Sequence, residues 1–180
     1  MSNMGMAGWK FKDMKQGGKS VVDLSAAFGI EPEKATEIVT GNLAALKMPV
    51  SQASTLVNQL AAAAANSNTD VLDLGESLKY VGTVAGAFGY SSKDTINALG
   101  VMANANIKGS MAGTSLRNIL TSMTKDWTFY NDKLGQVTVK TRNADGTMRN
   151  FGDVIADLQK KTEGMTKAQK VQLAESIAGK

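Results

Sequence analysis

The feature that most constrains this sequence is a series of apolar stripes at helical spacing, each ended by glycine or a short polar run. Ala53, Leu56, Val57, Leu60, Ala61 and Ala64 recur three and four residues apart, which places all of them on one helix face. Ser51, just after Pro49, is positioned to cap that helix, and Asn66-Ser67-Asn68 ends it. Thr69 or Asp70 then opens a long helix with the stripe Val71, Leu74, Leu78, Val81, Ala85 and Phe88. Phe151, Val154, Ile155 and Leu158 form another stripe near the C-terminus. Apolar stripes must be hidden from water, and helices joined by short turns hide them against each other. The pattern predicts a mainly α fold, a helical bundle of about seven to nine helices built from antiparallel helical hairpins.

The punctuation recurs. Ala27-Phe28-Gly29-Ile30-Glu31, Ala87-Phe88-Gly89-Tyr90-Ser91 and Glu163-Gly164-Met165-Thr166 each place a glycine where a helix can end in the left-handed conformation. An apolar residue follows in each, then a polar residue able to open the next helix. The first two copies lie sixty residues apart, and aligning 21–60 with 81–120 gives identities at Val21/Val81, Ala27/Ala87, Phe28/Phe88, Gly29/Gly89, Ala45/Ala105, Leu56/Leu116, Asn58/Asn118 and Leu60/Leu120. Two readings stand: a duplicated helical hairpin, or the recurrence expected of any two alanine-rich helical stretches.

One region departs from helical spacing. Gln136-Val137-Thr138-Val139-Lys140-Thr141 alternates and is β-branched, Asp145-Gly146 is a strong turn signal, and Thr147-Met148-Arg149 can return. This predicts one small β-hairpin near 136–150, packed on a helix or paired with another chain, because a lone hairpin is marginal in water. The expected organisation is a helical domain over 4–125, containing the related hairpins 21–60 and 81–120, followed by 126–180 with the β-hairpin and a C-terminal helical pair.

Composition narrows the chemistry. With no Cys and no His, disulfides, thiolate–imidazole zinc sites and histidine-based catalytic triads are ruled out. The net charge of +4 suits an anionic partner, but the lysines are scattered. The densest groups are Lys10, Lys12, Lys15 and Lys19, and the pair Lys160-Lys161. That scatter predicts a solvated surface and no specific nucleic-acid site. No apolar run reaches the roughly 20 residues needed to span a bilayer.

Four motifs invite a functional reading, and each has a structural one. Gly109-Ser110-Met111-Ala112-Gly113-Thr114-Ser115, preceded by Lys108, reads either as an anion cradle at a helix N-terminus or as a tight helix–helix connection. It lacks the Gly-Lys-Ser/Thr order of nucleotide loops, which favours the second. Gly82-Thr83-Val84-Ala85-Gly86 has the small-residue spacing that permits close helix approach, in a membrane or in a soluble bundle. Glu33/Glu37 and Asp153/Asp157 share helix faces, yet they stand where carboxylates favour helix N-termini and offer no acid/base pair. Trp127-Thr128-Phe129-Tyr130 is either a base-stacking platform or a staple between the hairpin and the helix carrying Leu116, Ile119, Leu120 and Met123. No catalytic, cofactor-binding or metal-binding residue is assigned, and no cofactor is implied.

Taken in order, several runs resemble the core region of tail tape measure proteins from bacteriophages and prophages. Ala105-Asn106-Ile107-Lys108-Gly109-Ser110-Met111-Ala112-Gly113-Thr114-Ser115-Leu116-Arg117 is similar to a small-residue run of that family, with Asn106 where glycine is commoner. Asn66-Ser67-Asn68-Thr69-Asp70, then Leu74-Gly75-Glu76-Ser77-Leu78-Lys79-Tyr80-Val81, resembles another. The Asp-Gly turn, Asp153-Val154-Ile155-Ala156-Asp157-Leu158 and Gly164-Met165-Thr166-Lys167-Ala168-Gln169 follow in family order. The resemblance covers about Gly5 to Lys180 and marks the chain as a fragment of a longer protein.

What it implies is a non-enzymatic scaffold that sets tail length as the tube assembles around it and leaves ahead of the DNA at genome ejection. The implied partners are the tail tube and other tail proteins, tail assembly chaperones and further copies of itself, with host membrane contact as an alternative role. The implied location is the virion tail, after synthesis in the host bacterial cytoplasm. A membrane-active segment around 70–89 is the competing function, and a cell-wall hydrolase the weakest. A continuous helix of this length would measure roughly 270 Å, but Pro49, Gly29, Gly89, Gly164 and the hairpin interrupt it. The expectation is therefore a folded module, with measuring done by longer helical regions elsewhere.

Overall fold

The computed structural model describes residues 4, 5 and 8–178. Its elements in chain order are α1 (Phe11–Phe28), α2 (Pro32–Ala45), a short 3-10 turn (Val50–Gln52), α3 (Ala53–Asn66), α4 (Val71–Ala87), α5 (Ser92–Asn104), α6 (Gly109–Ser122), β1 (Trp127–Asn131), β2 (Gly135–Val139), α7 (Phe151–Lys161) and α8 (Lys167–Ala178). The fold is mainly α, as the stripes predict. Contacts divide it into two compact units, Met1–Leu116 and Arg117–Lys180.

In the first unit α1 packs on α2, α2 on α4, α3 on α5 and α4 on α5. The predicted stripes fill its interior: Leu56, Leu60, Leu74, Leu78, Val81 and Ala85 are all buried, beside Leu24, Ile38, Leu43, Ile96 and Leu99. Each such leucine or isoleucine contributes about 1.5–3 kcal/mol relative to exposure, so a core poor in rings still carries the unit. Asp70 is the cap of α4, its Oδ1 accepting from the Asp73 amide at 2.7 Å. Ser51 caps nothing; it lies within the 3-10 turn, and α3 starts after it at Ala53 without a side-chain cap. Pro49 sets up that turn, because its fixed φ suits the entry to a tight helical segment.

The two matching turns have the same geometry. Gly29 and Gly89 take φ of 61° and 79°, and the following amides close back on the helices, Ile30 N–H to Ser25 O and Tyr90 N–H to Ala85 O. Sixty residues also separate the starts of α1 and α4, Phe11 and Val71, and of α2 and α5, Pro32 and Ser92.

The family-like run at 105–117 contains a second left-handed site. Asn106 has φ of 62°, which explains why glycine suits that position and why asparagine, the residue that best tolerates it, can stand there. Asn106→Ala is expected to lower stability by about 1 kcal/mol, with Asn106→Gly at or above the parent. Urea unfolding of the three proteins measures this, and equal loss from both substitutions would contradict it.

In the second unit the hairpin is displaced from its expected position. Gly135–Val139 pairs backwards with Trp127–Asn131, in the register Trp127↔Val139 to Asn131↔Gly135. The expected return strand makes only an isolated bridge, Arg142↔Met148, around the Asp145-Gly146 turn. Two physical reasons favour the earlier pairing. Trp127 and Val139 meet as a buried cross-strand pair, and Gly135, at φ 73°, lets the three-residue loop close. The Trp127–Tyr130 cluster is thus a strand of the hairpin, not a separate staple. Its alternation leaves Trp127 buried and Tyr130 67% exposed. Helix α7 packs on β2, and Lys161 Nζ donates to the Thr138 carbonyl at 2.7 Å. Thr166 and Gln169 open α8 with reciprocal side-chain-to-amide hydrogen bonds.

Candidate functional site

The residues singled out by sequence are drawn mainly into packing. Gly82 and Gly86 lie on the face of α4 that meets the end of α2. A β-carbon on Gly82 would stand 2.9 Å from Ala45 Cβ, and one on Gly86 2.9 Å from the Ala45 carbonyl oxygen. Gly75, one heptad before Gly82, belongs to the same seam, where a β-carbon would come within 2.9 Å of Ile38 Cγ1. The sequence reading missed Gly75 as a packing residue, although its spacing from Gly82 and Gly86 repeats the helix face. Among the described residues no helix is long and apolar enough to cross a membrane.

The glycine-bearing run 109–115 is helical from Gly109 onward, not a loop leading into a helix. Its start is docked on α4: Ser77 Oγ donates to the Gly109 carbonyl at 2.8 Å, and Gly113 lies with its Cα against the Ser77 carbonyl. Lys108 donates to Asn68 Oδ1 at 3.2 Å. The cradle reading needs a free cation beside the helix N-terminus; here Lys108 is hydrogen-bonded to Asn68, and the Asp73 carboxylate lies 3.5 Å from where a Gly109 β-carbon would stand.

The carboxylate pairs separate as well. Glu33 occupies the first turn of α2, whereas Glu37 reaches across to Lys79 of α4 at 2.6 Å and to Lys34 at 3.0 Å. Hydrogen bonds from Lys79 and then Lys34 hold the Glu37 carboxyl below its ordinary range, and Glu37 in turn raises Lys79. Asp153 stays in the first turn of α7, while Asp157 meets Arg149 at 3.3 Å and Lys161 at 3.2 Å. Partial burial pushes Asp157 up, but the hydrogen bonds from Lys161 and Arg149 outweigh it and leave the group lowered. Both are charged structural ties, the opposite of what a general acid requires. Among the described residues no three of His, Cys, Asp and Glu stand together in a metal-holding group.

Two polar hubs in the second unit were not read from sequence. Asp126 accepts from Lys140 Nζ at 2.8 Å, the Thr141 amide at 3.0 Å and Thr141 Oγ1 at 3.3 Å, and these donors, Lys140 foremost, lower its pKa. Asn131, 1% exposed, donates to the Lys161 carbonyl at 2.9 Å and the Glu163 carbonyl at 3.4 Å. Its Oδ1 accepts from the Lys133 and Leu134 amides at 2.9 and 3.3 Å. The only advance signal was the Asn-Asp pair at 131–132, an ordinary turn opener.

The family model described as phage-related minor tail protein matches residues 1–179. The tape measure protein of Pneumococcus phage Dp-1 is 32% identical over 170 residues, covering 94% of this chain and 15% of that protein. The probable tape measure protein of Escherichia phage P2 is 30% identical over 112 residues, covering 59% of this chain and 13% of that protein. The chain thus spans less than a sixth of the length of either relative. No solved structure matches it.

Proposed function

Because this chain belongs to the family of phage-related minor tail proteins, we propose that it serves as one folded module of a tape measure scaffold, which sets tail length during tube assembly and departs at genome ejection. The observation that carries this reading is where the glycines and charges go. The small-residue runs that resemble the tape measure family at 74–81 and 105–117 are the surfaces by which α2, α4 and α6 come together. Family-specific sequence therefore serves helix packing, and the conspicuous carboxylates Glu37 and Asp157 are tied to lysine and arginine. A scaffold requires that. A hydrolase requires a carboxyl held protonated, and Glu37 and Asp157 are both shifted the other way.

As a module, the segment makes a specific prediction about length. In-frame deletions in the long helical stretches of the parent protein should shorten the tail by about 1.5 Å per residue removed. Removing residues 11–104, which are folded back on themselves, should shorten it by much less per residue. Electron microscopy of the mutant particles measures both. Tails of unchanged length after deletions in the long helical stretches would overturn the scaffold reading. Equal shortening per residue would keep the scaffold and remove the folded module.

A further inference from the structure

We propose that a cleft of the second unit, lined by the hairpin loop and the end of α7, binds an acidic peptide segment through Lys133 and Lys160. The charge of the chain is divided unevenly. Residues 1–116 hold nine Lys and Arg against nine Asp and Glu, whereas residues 117–180 hold eleven against seven. The whole net charge of +4 therefore belongs to the second unit. In the sequence Lys160 and Lys161 stand there as an isolated pair; the fold adds Lys133, from the hairpin loop, to the lining of the same cleft.

The cleft has a volume of about 600 Å³, room for several side chains of a ligand. Its parts are fixed to each other. Buried Asn131 accepts from the Lys133 amide and donates to the Lys161 and Glu163 carbonyls, which ties the loop to the end of α7. The far end of the Lys133 side chain lies along Gly164, with Cδ 2.9 Å from where a β-carbon would stand. A site whose charges are already placed loses less freedom when it binds.

Which groups are free decides what the cleft can hold. Asp157 is taken by Arg149 and Lys161, and Lys161 also donates to the Thr138 carbonyl. Every carbonyl from Leu158 to Glu163 accepts a hydrogen bond, so the helix end presents no unpaired carbonyl to a cation. Three groups remain. The ammonium groups of Lys133 and Lys160 and the carboxylate of Glu163 have no partner among the described residues. Beside them Leu134 is 57% exposed. Two unpaired cations next to an exposed leucine complement a peptide with carboxylates on both sides of an apolar residue. A phosphate chain suits the cleft less. Phosphate sites draw on guanidinium forks and free backbone amides. The lining holds no arginine, and the Lys133 and Leu134 amides are already given to Asn131. Glu163 also repels a doubly charged group more than a single carboxylate.

Amide NMR of the full chain at low ionic strength, titrated with the blocked peptide acetyl-Glu-Leu-Glu-Leu-Glu-amide, tests this. Saturable shifts are expected at residues 132–134 and 160–164, weakening as added salt screens the ion pairs. The matching Gln-Leu-Gln-Leu-Gln peptide should give none. Lys133→Gln and Lys160→Gln, both at exposed positions that the fold does not need, should each weaken binding by about two- to fivefold. Lys170→Gln removes the same charge from α8, outside the cleft, and should leave binding nearly unchanged. Glu163→Gln, which removes the repelling carboxylate, should tighten it by about the same factor as the lysine variants lose. Absence of shifts at the cleft would overturn the proposal. So would equal weakening by all three lysine variants, which would mean attraction to the unit's charge without a site. Tighter binding at the same amides by an oligothymidylate or by phosphatidylglycerol vesicles would replace the peptide with a different occupant and overturn it too.

Discussion

Gly113→Ala is expected to lower stability by about 3 kcal/mol or more, while Gly41→Ala, the same substitution seventy-two residues earlier, is expected to raise it by about 0.5–1 kcal/mol. The contrast isolates space from propensity. Both glycines are helical, and alanine is the better helix former at either. Nothing lies within 4 Å of a β-carbon built on Gly41, so only the propensity gain remains there. On Gly113 the same atom would run into the Ser77 carbonyl oxygen and stand 2.9 Å from Tyr80 Cβ. The obstacle is the backbone of α4, which cannot turn aside as a side-chain tip could. Nor can α4 retreat, because Gly75, Gly82 and Gly86 already seat it against Ile38, Ala45 and Leu46 of the α2 end. The methyl group must separate α6 from α4 and break the hydrogen bond from Ser77 to the Gly109 carbonyl. Urea unfolding of both variants measures the effects. A Gly113→Ala protein as stable as the parent would mean that these helices do not meet at this distance.

This contrast shows why part of the fold was legible in sequence and part was not. Stripe residues such as Leu74, Leu78 and Val81 announce their burial through spacing alone, since a helix face is a local property. The turns at Gly29 and Gly89 are local too, for the left-handed conformation is a demand on one residue. Which face of α4 receives α2 and which receives α6 depends on pairs such as Gly75–Ile38 and Gly113–Ser77, whose members lie dozens of residues apart. The hairpin register failed for a related reason. Asp145-Gly146 is the stronger turn signal in isolation, but pairing is decided by the cross-strand partners, and only the earlier turn brings Trp127 opposite Val139. At the candidate sites, the sequence reading put both acidic pairs at helix N-termini, and the first turns hold only one member of each, Glu33 and Asp153. Glu37 and Asp157 are held by cations from Lys79 and Arg149, beyond their own helices, in addition to any effect of helix ends.

Asn131 poses the sharpest test of the second unit. It carries four hydrogen bonds from a site 1% exposed, two given through Nδ2 to the end of α7 and two received at Oδ1 from the hairpin loop. Asn131→Leu keeps the branched shape and removes all four. The Leu134 amide keeps its bond to the Asn131 carbonyl, but the Lys133 amide and the Lys161 and Glu163 carbonyls lose their side-chain partner, and each unsatisfied group costs about 1–3 kcal/mol unless water reaches it. A loss of about 2 kcal/mol is expected even if water rescues one of the three. Asn131→Asp separates the two halves of the site. Its carboxylate can still accept from the Lys133 and Leu134 amides, but the second oxygen now faces the Lys161 and Glu163 carbonyls. Ionisation is penalised in the folded state, so the folded pKa of the new carboxyl lies above its unfolded value. Its stabilising proton is then fully bound below the unfolded pKa and lost as pH rises through the folded one. The Asp variant should therefore be severely weakened at pH 7 and regain stability relative to the parent as pH falls toward 4, where a carboxyl proton can replace one Nδ2 donor. The Leu variant has no such proton and should show no recovery. Hydrogen exchange of the amides in β1, β2 and α7, followed from pH 7 to pH 4, distinguishes the two. If both variants keep parental protection at pH 7, the tie between hairpin and helix is not what holds this unit together.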